Sequence, residues 1–297
     1  DAGFTYEIED GIYFDTSKFK NYGVLDKKNI KGIQAGKRID VKDKKHPTDF
    51  ALWKFSKGEK RQQEWESPWG KGFPGWHIEC SAMSMKYLGE QLDIHTGGVD
   101  LIFPHHENEI AQSEGVTEKP FVKYWMHNEW VLVDSKKMAK SANNFYTLRD
   151  VINKGIHPLA YRFWLLMASY RTKVNFVWDA LEGSETALKR LYRLYIDLGD
   201  EVGTPDADYQ TDFKSYIEND LDTPQAVALL WDLLKDESVS NADKKATLLD
   251  FDKVLGLGFE NIKEDQIVSL LKKSGLPING KVTLFDGRTG EAYKNPV

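Results

Sequence analysis

Leu92-Asp93-Ile94-His95-Thr96-Gly97-Gly98-Val99-Asp100 and the run after it, Leu101-Ile102-Phe103-Pro104-His105-His106-Glu107-Asn108-Glu109-Ile110-Ala111-Gln112, decide how this chain is read. Leu92 to His95 is short and apolar enough for a buried strand, and Thr96-Gly97-Gly98 reads as the turn that ends it. Pro104 sits where a helix tolerates proline, in its first turn, so a helix is expected from there to about Gln112-Ser113. A strand, a glycine turn and a helix in that order are the start of a parallel α/β unit.

Working outward, the chain continues the alternation. Trp76 begins a helical period in which Ile78, Ala82, Met83 and Leu88 can share one face, with Gly89 as its stop. Tyr124-Trp125-Met126-His127 and Trp130-Val131-Leu132-Val133 read as buried strands. Before them, residues 1–65 mix short apolar segments with Lys-rich turns and read as an inserted subdomain. Asp49-Phe50-Ala51-Leu52-Trp53-Lys54-Phe55 is expected to pack on the core. Ser67 to Gly75 is rich in Gly and Pro and reads as loop. After Asp150 the pattern is helical. Pro158 to Ser169 is apolar, Ala187, Leu188, Leu191, Tyr192, Tyr195 and Leu198 recur at helical spacing, and Thr223-Pro224 reads as a cap and first turn ahead of Val227, Leu230, Trp231 and Leu234. An antiparallel helix bundle is expected there. Lys281 to Phe285 followed by Asp286-Gly287-Arg288-Thr289-Gly290 predicts a hairpin at the end of the chain.

Composition bounds the answer. With 41% apolar and 29% charged residues in 297, the chain can bury a core and form more than one domain. No run of about 18 apolar residues predicts a membrane span. The single cysteine, Cys80, excludes an internal disulfide and fits a cytoplasmic protein. Net charge is −6, but Glu118 to Lys173 carries ten Lys/Arg against four Asp/Glu, and Leu194 to Ile262 carries five against sixteen. That distribution allows a local anion site and excludes a surface basic throughout. The start at Asp1, within a polar stretch, predicts a fragment or processed chain.

Three groups of residues carry chemistry. His105 and Glu109 are four apart and project from one helix face. His106 could also reach, but its own i+4 neighbour is the core-type Ile110, which favours His105. Cys80, brought in by the fold, would complete a thiolate, imidazole and carboxylate set of the kind zinc accepts. On spacing alone the alternative stands that Cys80 is a small buried hydrophobe and the histidines cap or line a helix. The Gly97-Gly98 turn with Asp100 permits close approach of a nucleotide, or is a structural turn. Lys136, Lys137 and Lys140 follow a strand and could stabilise charge on a transferring phosphoryl or adenylyl group, or be a solvated charge run.

Taken together, Gly75-Trp76-His77-Ile78-Glu79-Cys80-Ser81-Ala82-Met83, Asp93-Ile94-His95 with Gly97-Gly98 and Asp100, Phe103 to Gln112, Trp125-Met126-His127 and Lys137-Met138-Ala139-Lys140-Ser141 resemble the cysteinyl-tRNA synthetases in order and spacing. The resemblance runs from Tyr13-Phe14-Asp15 to about Ile262. It implies an α/β fold, the C-terminal half of a class I synthetase Rossmann-like nucleotide-binding domain followed by an α-helical bundle. The implied divisions are an inserted subdomain at 1–65, a catalytic core at 66–172, a tRNA-binding bundle at 173–262 and an unrelated tail at 263–297. It implies a cysteine–tRNA ligase that uses ATP with Mg2+, and a Zn2+ ion held by Cys80, His105 and Glu109 that binds the substrate thiolate. Lys137 and Lys140 match the mobile signature loop that contacts ATP. Trp76, His95, Gly97 and Asp100 are carried over to the amino-acid and adenosine pockets. The implied partners are tRNA, cysteine and ATP, with no membrane, in a cytoplasmic monomer.

Departures from the pattern carry expectations of their own. The family's first half, with an ATP-binding His-Ile-Gly-His-type motif and a further cysteine ligand, is absent from this sequence. That predicts a chain inactive by itself and at best a weak, three-ligand zinc site, with a separate N-terminal fragment as a partner. Ala139 and Asn143 replace the commoner serine and glycine of the signature loop. Leu270 to Pro277 and Leu284 to Glu291 are instead similar to a segment of the bacterial RNA polymerase β subunit. Two other functions share these motifs: ligation of cysteine to an amino sugar, and a non-catalytic tRNA-binding subunit of a split enzyme.

Overall fold

The structure, a computed structural model, describes residues 1–26, 43–58, 61–138 and 144–262. Lys140, the signature-loop residues 139–143 and the expected hairpin after Lys281 lie outside these. The chain divides into two compact units, Asp1–Trp130 and Val131–Val297. Among the described residues no helix is long and apolar enough to cross a membrane.

The first unit opens with a four-stranded antiparallel sheet of β1 (Thr5–Ile8), β2 (Gly11–Phe14), β3 (Phe50–Phe55) and β4 (Gly72–Pro74) in that order. Every residue of β2 is buried; it is an inner strand between β1 and β3, and its Phe14 stacks on Phe50 of β3. The Gly/Pro-rich stretch expected to be only loop contributes β4. A Cβ at Gly72 would lie 2.2 Å from the Lys54 carbonyl oxygen, so the bare backbone is what lets this edge strand pair with β3.

The second sheet holds the parallel pair β5 (Leu92–Gly98) and β6 (Val122–Asn128), with α2 (Glu107–Thr117) between them in sequence. Gly97 and Gly98 do not form a turn after the strand. They are its last two residues and pair with His127 and Asn128. These strands are also less buried than their apolar character predicts, with Ile94 59% and Tyr124 67% exposed. The helix expected from Pro104 to Ser113 is longer and irregular at its start. A helical turn at Ile102–His106, in which Phe103 is extended (φ −131°, ψ 133°) and its bond to Pro104 is cis, runs into α2.

Helix α1 (Trp76–Leu88) ends at Gly89 as its sequence predicts. Its buried face is not the expected one. Met83 and Leu88 are exposed, and the buried residue is Ser81, whose hydroxyl donates to Gln112 Oε1 at 2.6 Å on α2. Small and polar residues therefore make the joint between α1 and α2. Ile78, Ala82 and Met83 face a cavity of about 600 Å³ that Trp53, Trp65 and Trp69 also line. Helix α2 is buried from Glu107 to Ser113. Its Ala111 and Gly115 lie against Phe4, Phe14 and Phe50, which stack with centroids 5.4 and 5.1 Å apart. This stacked aromatic core fixes α2, and α2 carries the site.

In the second unit β7 (Val131–Val133) pairs antiparallel with β8 (Lys136–Lys137) and parallel with β9 (Val174–Phe176). Helices α3 (Leu148–Asn153) and α4 (Pro158–Leu166) precede β9. Helices α5 (Trp178–Asp197), α6 (Ala207–Glu218), α7 (Thr223–Lys235) and α8 (Asn241–Leu255) follow it. Leu188, Leu191, Tyr192 and Tyr195 of α5 join Val227, Leu230 and Leu233 of α7 and Leu248 and Phe251 of α8 in one core. The cap of α7 is Asp222, whose carboxylate accepts from the Gln225 backbone N–H. Thr223 and Pro224 are its first two residues.

Candidate metal and nucleotide site

Helix α1, the irregular turn at Ile102–His106 and the first turn of α2 bring three expected ligands together. One ligand atom each from Cys80, His105 and Glu109 lies within 4.8 Å of the other two. His105 and Glu109 keep the i, i+4 relation across the junction of the irregular turn and α2, with Nε2 of His105 3.0 Å from Oε1 of Glu109. Glu109 is fully buried. Neither of its oxygens receives an aligned hydrogen bond, although imidazole nitrogens stand nearby. An ionised carboxylate left so in a protein interior is costly unless a cation answers it. The donor set also suits zinc, which combines thiolate, imidazole and carboxylate ligands readily. The residues present therefore fit a zinc ion.

The electrostatics differ between the ligands. Burial pushes the Glu109 carboxyl up, but His105 and His95 outweigh it and hold the group at about 2. Burial, then the Glu109 charge, pushes the Cys80 thiol up. A cation beside the thiol would reverse that shift, because thiolate is the ligand form. Burial pulls His77 and His106 down to about 4, so both imidazoles are neutral near neutral pH.

Around this set the structure places two histidines to which sequence reasoning gave no role. His77 Nδ1 lies 2.9 Å from His105 Nδ1, and His127 Nε2 lies 2.7 Å from His106 Nδ1. Both belong to the motifs quoted above. The signal for His127 lies in strand register, since β6 sets it beside Gly97. His106, set aside on spacing because of Ile110, is almost completely buried and forms a second close set with His95 and Glu109.

The residues expected at the amino-acid and adenosine pockets fall as follows. Trp76 is 61% exposed, and its ring lies 4.5 Å from that of His105. His95 faces inward, its Nε2 3.4 Å from Glu109 Oε2. Gly97 abuts His106, where an added Cβ would lie 2.7 Å from Cε1 of that ring. Asp100 is exposed and accepts the Trp130 indole N–H at 3.2 Å. Lys137 is an exposed residue of β8 in the second unit, opposite Leu132.

Glu107, the residue between His106 and Asn108 at the start of α2, secures a neighbouring loop. It is fully buried and accepts the backbone N–H groups of Gly23, Leu25 and Asp26 at 2.9, 2.5 and 2.9 Å. Tyr22 beside it donates to Asn108 Oδ1 at 2.6 Å. Two consecutive residues of α2 thus fasten the loop after Tyr22 next to the ligand-bearing turn.

Residues 1–186 match the family model described as the class I (C) tRNA synthetase catalytic domain. A cysteine–tRNA ligase from Burkholderia lata is 49% identical over 259 residues, covering 86% of this chain and 55% of that protein. The enzyme of that name from Caldicellulosiruptor saccharolyticus is 45% identical over 263 residues, covering 84% of this chain and 56% of its own. The one from Geobacillus thermodenitrificans is 40% identical over 299, covering 92% and 63%. The chain thus spans a little over half the length of these curated relatives. The ternary complex of Agrobacterium radiobacter K84 agnB2 LeuRS, tRNA and LeuAMS shares the fold with a TM-score of 0.51 at 14% identity, covering 72% of this chain and 35% of that one. The α/β architecture is accordingly that of a class I synthetase catalytic domain, and this chain belongs to the cysteine–tRNA ligase family.

Proposed function

We propose that this chain carries the zinc-binding and nucleotide-handling part of a cysteine–tRNA ligase, which activates cysteine with ATP as an adenylate and esterifies tRNA. The observation that carries the reading is the convergence of Cys80, His105 and Glu109, with both Glu109 oxygens buried and without an aligned hydrogen bond. These three residues would hold zinc. Bound there, zinc supplies a soft Lewis acid for the substrate's thiolate, and a serine hydroxyl is a far poorer ligand, so selection needs no editing step.

The chain's own residues do the rest. The exposed Trp76 indole offers an apolar wall next to His105 for the substrate. His95, Gly97 and Asp100 line the amino-acid and adenosine side. Lys137 and Lys140, with Mg2+ on the ATP, offset the charge that develops as pyrophosphate leaves. The helices α5 to α8 belong to the tRNA-binding part, in a cytoplasmic monomer.

The test is metal analysis of the purified chain beside Cys80→Ser. Bound zinc in the parent chain and a strong loss in the variant are expected. Equal zinc in both would remove Cys80 from the site. Adding free cysteine to the cobalt-loaded chain should intensify the thiolate-to-metal absorption, and serine should leave it unchanged.

A further inference from the structure

Glu109 turns its two oxygens toward two different sets of donors. Oε1 lies 3.0 Å from His105 Nε2, on the side of Cys80. Oε2 lies 3.4 Å from His95 Nε2, and His95, His106 and Glu109 again offer one ligand atom each within 4.8 Å of the others. We propose that His95, His106 and Glu109 form a second divalent-cation site, weaker than the first and bridged to it by the Glu109 carboxylate, which fills when metal is in excess.

The second set has the features of a built site. Glu109 and His106 are 0% and 1% exposed. An ion held on the Cys80 side answers Oε1 and leaves the buried Oε2, which has no aligned hydrogen bond, facing His95. Nδ1 of His106 is held 2.7 Å from His127 Nε2, which leaves Nε2 of His106 as its ligating nitrogen. An outer hydrogen bond of that kind orients most metal-binding imidazoles. Gly97 makes room for the ring, since a Cβ there would stand 3.0 Å from Nε2 of His106.

The donor chemistry selects the ion. Two imidazoles and a carboxylate suit zinc, cobalt, nickel or iron, and are poor for calcium or magnesium. The lower affinity follows from charge. The thiolate serves only the first ion, and two dications that share one carboxylate repel each other. Filling the second site draws Glu109 toward His95, so excess metal weakens the first site's hold. This inference rests on the metal reading of Cys80, His105 and Glu109 only through the shared carboxylate.

Cobalt(II) separates the two sites, because only the first places a thiolate on the ion. The metal-stripped chain is titrated with cobalt, bound metal is counted by equilibrium dialysis, and the thiolate-to-cobalt band is followed. Two equivalents are expected, the tighter one with the band and the weaker one without it. His106→Ala and His95→Asn should each lose the second equivalent and keep the band, which also reports that the fold is intact. Saturation at one equivalent in the parent chain would overturn the proposal. So would a second equivalent that persists in both variants, or a band lost together with it in both. If the parent chain shows no band but His106→Ala still loses a bound cobalt, the reading of Cys80 fails and this site stands.

Discussion

His77 Nδ1 lies 2.9 Å from Nδ1 of His105. One of these like atoms must donate to the other. Burial keeps His77 neutral, so it can accept at Nδ1. With a metal ion between Glu109 and Cys80, His105 can donate there and turn the Nε2 lone pair to the ion, the form a metal needs. His77 is then a positioning residue that selects the tautomer of a ligand. His77→Phe keeps the ring contacts with Phe50 and Trp76 and removes the acceptor. It should weaken zinc binding about 10–100-fold, read by competition with a chromophoric chelator. His77→Asn, which keeps an acceptor, should recover part of the loss. Equal zinc affinity in parent and Phe variant would show that His105 is oriented without His77.

Gly97 is fixed by close approach and not by backbone angle. A Cβ there would meet His106 Cε1 at 2.7 Å and Leu101 Cδ1 at 2.9 Å. His106 cannot move aside freely, because it is almost fully buried and bonded to His127. Gly97→Ala should therefore cost about 1–3 kcal/mol through overpacking, measured by urea unfolding. The same substitution at Gly58, where nothing lies within 4 Å, has no such neighbour and differs only by its positive φ.

Glu107 holds a loop through its backbone, so removing its charge should loosen that loop selectively. Glu107→Gln places a donor where three N–H groups converge and should cost about 1–3 kcal/mol. Amide hydrogen exchange should speed up at Gly23, Leu25 and Asp26 and stay unchanged in α5 to α8. Uniformly faster exchange would mean that Glu107 supports the whole first unit and not that loop.

Much of the site was legible because its residues sit at helical spacing or in quoted motifs. His105 and Glu109 face one way by i, i+4 geometry, and the structure keeps that relation. The grouping with Cys80 needed the family resemblance, since no local rule joins positions 25 apart. Spacing sets His106 aside because an i+4 rule ranks side chains on one helix only. Its neighbours His95 and His127 come from β5 and β6, where parallel register decides contact. The face of α1 was misread for a related reason. Apolar periodicity assumes an apolar partner, whereas α1 meets α2 through Ser81 and Gln112 and leaves Met83 and Leu88 exposed. Gly97 and Gly98 read as a turn by composition, yet both are paired residues of a strand, with bare backbone needed beside His106 at Gly97 and beside Asp100 at Gly98.

His157 links pH to the stability of the second unit. It caps α4, its Nδ1 accepting the Leu159 backbone N–H at 3.2 Å ahead of Pro158. Accepting requires the neutral ring. Burial lowers its pKa; Glu185 pulls the other way, and Lys189 adds to the lowering. The folded-state pKa therefore lies below the unfolded value of about 6.5. With that sign the unfolded state binds the proton first, and stability is lost as pH falls from about 6.5 through the folded pKa. Protonation also sets a positive charge at the positive end of a helix. His157→Asn supplies a cap that does not titrate in this range, so its loss of stability between pH 7 and 5 should be smaller than the parent's. His157→Ala should cost about 1 kcal/mol at pH 7 through the lost cap, or about 2–4 °C in Tm for a chain of this size. Thermal melts of the three proteins across that range decide the matter. Parallel curves for the parent and the Asn variant would show that another group carries the acid sensitivity of this unit.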